Sequence, residues 1–244
     1  YIIVIMPLPK LNTPTYELTL PSSNRKVKYR PFLVKEEKIL LIAMESEDEK
    51  EMQNAVKQIL KNCILTRGIS VDKLAVFDIE YLFLNIRGKS VGEDIKLNIV
   101  CPDDEVTEVE VSVNVEDVKI QKSDKHDPVI QLTDQVAIVM KYPSMEMFVK
   151  NNITGENQQK VDTIFDMTID CISQVVEGED VLEAKSFSKK EMLEFVETFD
   201  TQQFQKIQDF FETMPKLSHK IKVLNPKTNI ESDVVIEGLS SFFD

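Results

Sequence analysis

The chain contains two histidines, three cysteines and 42 acidic side chains, and any covalent or acid–base chemistry would have to draw on them. A Ser/His/Asp or Cys/His site needs an imidazole to take the nucleophile's proton, so it would have to use His126 or His219. His126 lies in the polar loop Lys122–Asp127, between Asp124, Asp127 and Pro128. His219 comes just before an apolar alternation. Both read as surface histidines. Cys63, Cys101 and Cys171 are far apart and odd in number, which gives neither a disulfide framework nor a CxxC pair and suggests a reducing compartment. The sequence has no HExxH, GxGxxG or GxxxxGK[ST], and its six glycines supply no phosphate-cradling loop. Asp78, Glu80 and Arg87 fall within an apolar stretch, where charged groups serve more often as structural partners than as catalysts. The expectation is a protein with no catalytic residues, no cofactor and no metal.

Two turns test the metal expectation. Cys101-Pro102-Asp103-Asp104 and Asn225-Pro226-Lys227-Thr228 each stand where a zinc ribbon would place Cys-Pro-x-Cys. Structural zinc needs four soft ligands, and these turns hold one cysteine between them. They are either knuckles that have lost their metal or ordinary hairpin turns, and both readings predict no zinc.

Lysine and arginine total 29 against 42 acids, so the net charge is 29 − 42 = −13. A field of that sign repels phosphate backbones, which argues against nucleic-acid binding. The one basic run, Arg25–Arg30, alternates with Val27 and Tyr29 as a solvated strand face does. The apolar opening Tyr1–Met6 is broken by Pro7 and Pro9, too soon for a membrane span and without the basic start of a signal peptide. The expectation is a soluble cytoplasmic protein.

The elements that would position these residues follow from periodicity. Tyr1–Thr15, with three prolines, reads as an extended arm. Tyr16–Leu20 and Val27–Arg30 flank the turn sequence Pro21-Ser22-Ser23-Asn24, which predicts a β-hairpin. Helices follow over Lys35–Glu45 and Glu49–Ile64 and within the stretch Phe77–Glu93. The first and third are apolar nearly all round, the mark of buried helices, and Phe77–Glu93 reads as the spine on which the other two pack. Gly88 is a candidate C-cap behind Arg87. From Asp94 the period becomes two, in 94–100 and again in Glu108–Val115, with shorter strands at Val118–Gln121, Val129–Leu132 and Val136–Lys141. Ser144–Asn151 and a stripe from Val161 to Gly178 read as helices. Ser188 with Glu191 and Asp200 with Gln203 form capping boxes for two more. Lys220–Leu224 and Ile230–Ile236 predict a closing hairpin. The expected fold class is α+β: a helical lobe with an N-terminal β-hairpin, a small antiparallel β-sheet, a second helical lobe and a C-terminal β-hairpin. The expected divisions are 1–93, 94–142 and 143–244.

Several segments, in order along most of the chain, resemble the baseplate hub subunit and hub-assembly proteins of T4-like contractile-tailed bacteriophages. They are Met6–Leu11 with Thr13–Tyr16, Tyr29–Lys38, Phe77–Glu93, Phe210–Pro215 and Glu237–Phe243. The resemblance implies a non-enzymatic viral protein in virion assembly of the contractile tail. It would be a structural component of the baseplate hub or its assembly, acting by protein–protein contacts. The alternative it leaves open is a transient tail-assembly chaperone absent from the mature virion. The implied partners are other baseplate and tail proteins, the hub and also the tape measure, with homo-oligomerisation open. The implied location is the host cytoplasm during assembly, then the tail baseplate if the protein is retained. The apolar ends supply the candidate partner-binding residues: Ile2, Ile3, Val4, Ile5, Leu8, Leu11, Leu239, Phe242 and Phe243.

Overall fold

The computed structural model describes residues 11–46, 48–150, 161–238 and 241. Strands β1 (Tyr16–Thr19) and β2 (Lys26–Tyr29) form the expected antiparallel hairpin, and helices α1 (Val34–Glu45), α2 (Glu49–Cys63) and α3 (Val76–Val91) follow. Strands β3 (Asp94–Val100), β4 (Glu108–Asn114), β5 (Lys119–Gln121), β6 (Val129–Gln131) and β7 (Val136–Met140) come next. Then come α4 (Met145–Lys150), α5 (Val161–Cys171), β8 (Ile172–Glu177) and β9 (Asp180–Glu183). The described chain closes with α6 (Lys189–Glu197), α7 (Thr201–Thr213), β10 (Lys216–Leu224) and β11 (Glu231–Glu237). The class is α+β, with small antiparallel sheets and a hairpin near each end. Among the described residues no helix is long and apolar enough to cross a membrane.

The strands of 94–142 divide among three sheets. β3 pairs only with β4, β5 is the edge of a β11-β10-β5 sheet, and β6 and β7 begin a four-stranded β6-β7-β8-β9 sheet. Each two-strand alternation was legible, but the partners of β5 and β7 lie far along the chain.

Three apolar clusters result, and α3 belongs to two of them. Ile79, Leu82, Phe83 and Ile86 pack with Leu20, Val27 and Tyr29 of the hairpin region and with Val56, Ile59, Leu60 and Cys63 of α2. Leu84, on another face of α3, packs with Ile95, Leu97, Val113 and Val115, and with Leu217 and Ile236 of the closing hairpin. A helix with cores on two sides needs apolar residues over most of its surface, which explains the dense Phe77–Ile86 block. The third cluster joins β6–β8 to α5, α6 and α7. Both capping boxes are present: Glu191 N–H donates to Ser188 Oγ at 3.3 Å, and Gln203 N–H donates to Asp200 Oδ1 at 2.8 Å.

Two sequence expectations are corrected. Gly88 does not end α3; the helix runs on to Val91 and stops at Gly92, whose φ of 120° favours glycine. Gly88 is buried because Val115 stands against it, and a Cβ there would lie 3.3 Å from Val115 Cγ1. In a Gly88→Leu variant the extra atoms have no space, so stability should fall by about 1–3 kcal/mol. Gly88→Ala should be close to neutral, because a helix-propensity gain of up to about 1 kcal/mol offsets one tight contact. Urea unfolding of the two variants checks both, and a Leu variant as stable as the parent would refute the close approach.

The second correction is the stripe from Val161 to Gly178. Its first half is α5, but from Ile172 the chain extends as β8 and turns back at Gly178 into β9. Ile172, Val175 and Val176 are β-branched, and pairing with β7 outweighs the continuing helical period.

Candidate interaction surface

The reactive side chains are built into the fold. His126 is a correction to the surface reading: it is only 9% exposed and completes a cluster with the rings of Tyr142 and Phe210, whose centroids lie 5.6 and 5.0 Å from its own and 6.0 Å from each other. Its Nδ1 is 3.1 Å from Thr213 Oγ1 and its Nε2 is 3.1 Å from Tyr142 Oη. The Thr213 hydroxyl already donates to the Asp209 carbonyl at 2.6 Å, so Thr213 accepts from Nδ1–H and Tyr142 donates to Nε2. Burial, helped by Lys122 and opposed by Asp127, pushes this imidazole below its ordinary pKa. Both ring nitrogens are engaged, and the ring packs among core aromatic side chains. The aromatic residues that bury it are distant in sequence, and its polar neighbours gave no sign of them. A cleft of about 530 Å³ opens over Thr213 and Phe210, lined by Lys125, Asp127, Lys206 and Asp209 among others. His219 is half-buried on β10.

The cysteines are equally withdrawn. All three are free and buried, and burial pushes the Cys63 thiol up to about 11 and that of Cys171 to about 12. A thiol held protonated at neutral pH is a poor nucleophile and a poor metal ligand. Asp78 is fully buried and receives the N–H and hydroxyl of Ser22, the N–H at 3.0 Å, which fastens the first hairpin's loop onto α3. Burial outweighs those bonds and raises its carboxyl above the usual carboxylate range. Arg87 is half-buried, and Glu80 lies beside Gly238.

The two suspected knuckles meet. Asn225, fully buried, donates Nδ2 to both Asp103 oxygens at 3.0 and 3.1 Å, and Thr228 Oγ1 donates to Asp103 at 2.5 Å. A carboxylate–amide clasp therefore joins the β3–β4 and β10–β11 loops where paired knuckles would share an ion. In both loops the fifth N–H bonds the first carbonyl at 2.9 Å, and the fifth residue, Glu105 or Asn229, has φ near 56° or 57°. Leu20–Asn24 repeats this backbone, with Asn24 N–H to Leu20 O at 2.9 Å and φ 54°, and has no cysteine at all. The likeness to a metal knuckle is hairpin geometry. Among the described residues no three His, Cys, Asp or Glu side chains are grouped to hold a metal.

Exposed apolar side chains occur on the closing hairpin (Leu224, Ile230 and Val235) and on β9 (Val181 and Leu182), and a further group lies on α1. Glu36, Leu40 and Ala43 form its buried face, turned to α2. Away from that face stand Val34, Leu41 and Ile42, at 80%, 54% and 53% exposure, with Met44 on the flank at 39%. This corrects the all-round-buried reading: α1 lies on α2 at the edge of the N-terminal core and leaves one apolar side open. Of the candidate partner-binding residues, Leu11 is described and is 92% exposed. Ile2, Ile3, Val4, Ile5, Leu8, Leu239, Phe242 and Phe243 lie outside the described residues.

Arg30 and Glu36 set the position of this helix. Arg30 follows β2 and reaches the Glu36 carboxylate through both nitrogens, at 3.0 and 3.3 Å. Glu36 also accepts the Leu33 N–H at 2.9 Å, which satisfies a donor at the start of α1. The pair locks the hairpin to the helix and so fixes where the open face points.

A family model described as T4 bacteriophage base plate protein matches residues 13–244 of this chain. No curated protein and no solved structure matches it.

Proposed function

The chain belongs to the T4 bacteriophage base plate protein family, and from that membership we propose that it is a non-enzymatic component of the baseplate hub, or of the hub's assembly, that works through protein–protein contacts. Such proteins act beside other baseplate proteins, so the surface that matters is one able to bury area on a neighbour. The observation that carries the reading is the open face of α1, where Val34, Leu41 and Ile42 stand exposed beside Lys38 and Glu45 on a helix tied to the first hairpin by a buried ion pair. Core roles for His126 and the cysteines support the non-enzymatic part of the proposal. The net charge of −13 favours basic or apolar protein partners over nucleic acid.

The test is mass spectrometry of purified virions together with incorporation of a Leu41→Asp variant. Stoichiometric parent protein in finished tails, and loss of the variant from them, is the expected result. Recovery of the protein only with hub precursors in the host cytoplasm would turn the assignment to the transient assembly chaperone. Normal incorporation of the Asp variant would remove α1 as the contact.

A further inference from the structure

We propose that the open face of α1 pairs with the same face of a second copy of this chain, the two helices running antiparallel across a two-fold axis near Leu41. The inference rests on the protein–protein reading of this face and names its occupant.

The centre line of the face is Val34, Lys38, Leu41 and Glu45, spaced four, three and four residues apart, so these side chains stand in one row. Ile42 and Met44 flank the row on opposite sides. Lys38 and Glu45 are exposed, and neither makes an ion pair with another described residue. Glu45 lies in the last turn, where a negative charge opposes the helix dipole, so α1 itself gains nothing from it. A two-fold axis beside Leu41 gives both charges a partner. It sets Leu41 and Ile42 against their counterparts and places Lys38 of each helix opposite Glu45 of the other, twice over. Parallel pairing would instead put lysine on lysine and glutamate on glutamate. The face is therefore self-complementary in one orientation only, as an isologous contact must be.

A helix of 12 residues is about 18 Å long, so the contact falls at the small end of specific interfaces. Two copies of charge −13 also repel at long range, an effect largely screened at physiological salt. The dimer should accordingly be weak and seen only at high concentration.

Sedimentation equilibrium of the purified chain, up to about 100 µM, is the test. A reversible monomer–dimer equilibrium is expected, and Leu41→Asp or Ile42→Ser should abolish it with the thermal melt unchanged, since both positions are more than half exposed. Lys38→Glu and Glu45→Lys should each weaken association roughly tenfold or more, and the double variant should restore it because the pairs are exchanged intact. A parent that stays monomeric throughout, a dimer indifferent to Leu41→Asp and Ile42→Ser, or a double variant no better than the singles overturns the proposal. None of these results bears on whether the protein reaches the virion, which is the test of the proposed function.

Discussion

Replacing Phe83 with alanine should cost about 3–5 kcal/mol of folding stability. The ring is fully buried at the centre of α3, in the cluster that holds the first hairpin to α2 and α3. Leu84, one residue on, is fully buried in the separate cluster of β3, β4 and the closing hairpin. A void beside Phe83 cannot be filled by shifting α3, because the helix is gripped from its other side. Limited relaxation places a truncation at the expensive end of its range. In a chain of 244 residues that loss corresponds to a fall in Tm of roughly 6–20 °C. Thermal and urea unfolding measure it, with an unchanged urea slope expected if only stability is altered. Leu41→Ala, on the open face of α1, is the control and should shift stability by no more than about 0.5 kcal/mol. Equal losses from the two variants would mean that α3 is not the spine of the fold.

The same pair of residues shows how far the sequence could be read. Phe83 was legible as core because its neighbours are apolar around the whole helix, and no other placement of Phe77–Ile86 keeps them from water. The capping boxes at Ser188 and Asp200 and the turns beginning at Pro21 and Pro226 were equally plain, since local chemistry decides them. Leu41 was not legible. An apolar side chain facing water and one facing a core are the same letter, and only the place of α1 at the edge of α2 separates them. His126 failed for the opposite reason: its loop is polar, and the rings that cover it come from Tyr142 and Phe210. The Ile172 break was hidden because a β-branched strand can carry a helical stripe until β7 claims it. The candidate site shows this division most sharply, since the termini chosen from composition are largely outside the described residues and the face of α1 needed the fold to become visible.

Arg30→Met should destabilise the protein by about 3–5 kcal/mol at pH 7, and the deficit should shrink as the pH is lowered. Glu36 is fully buried, and the Arg30 side chain is only 14% exposed, so the variant leaves a carboxylate without its main counter-ion in a place that water does not reach. In the parent, burial pulls the Glu36 carboxyl up, but the bonds from Arg30 and the Leu33 N–H, with Lys35 nearby, outweigh it and hold the group below the usual range. A depressed folded pKa means that the parent's gain is present above the unfolded value of about 4.3 and is lost as pH falls through the folded pKa. Without Arg30 the burial effect dominates and the folded pKa rises. The variant then loses stability as pH climbs from the unfolded value through the raised one, so its penalty is complete only once Glu36 is ionised. The two curves should converge toward pH 4 and separate toward pH 7, which urea unfolding of both proteins at several pH values will show. A deficit that is the same at pH 4 and pH 7 would mean that Arg30 acts by packing its stem and not by its charge. Arg30→Met should also reduce dimer formation by folded protein, because the pair that carries this energy is what aims the open face of α1. Leu41→Asp should remove the dimer with no change in the pH profile, and that contrast separates the strut from the surface it supports.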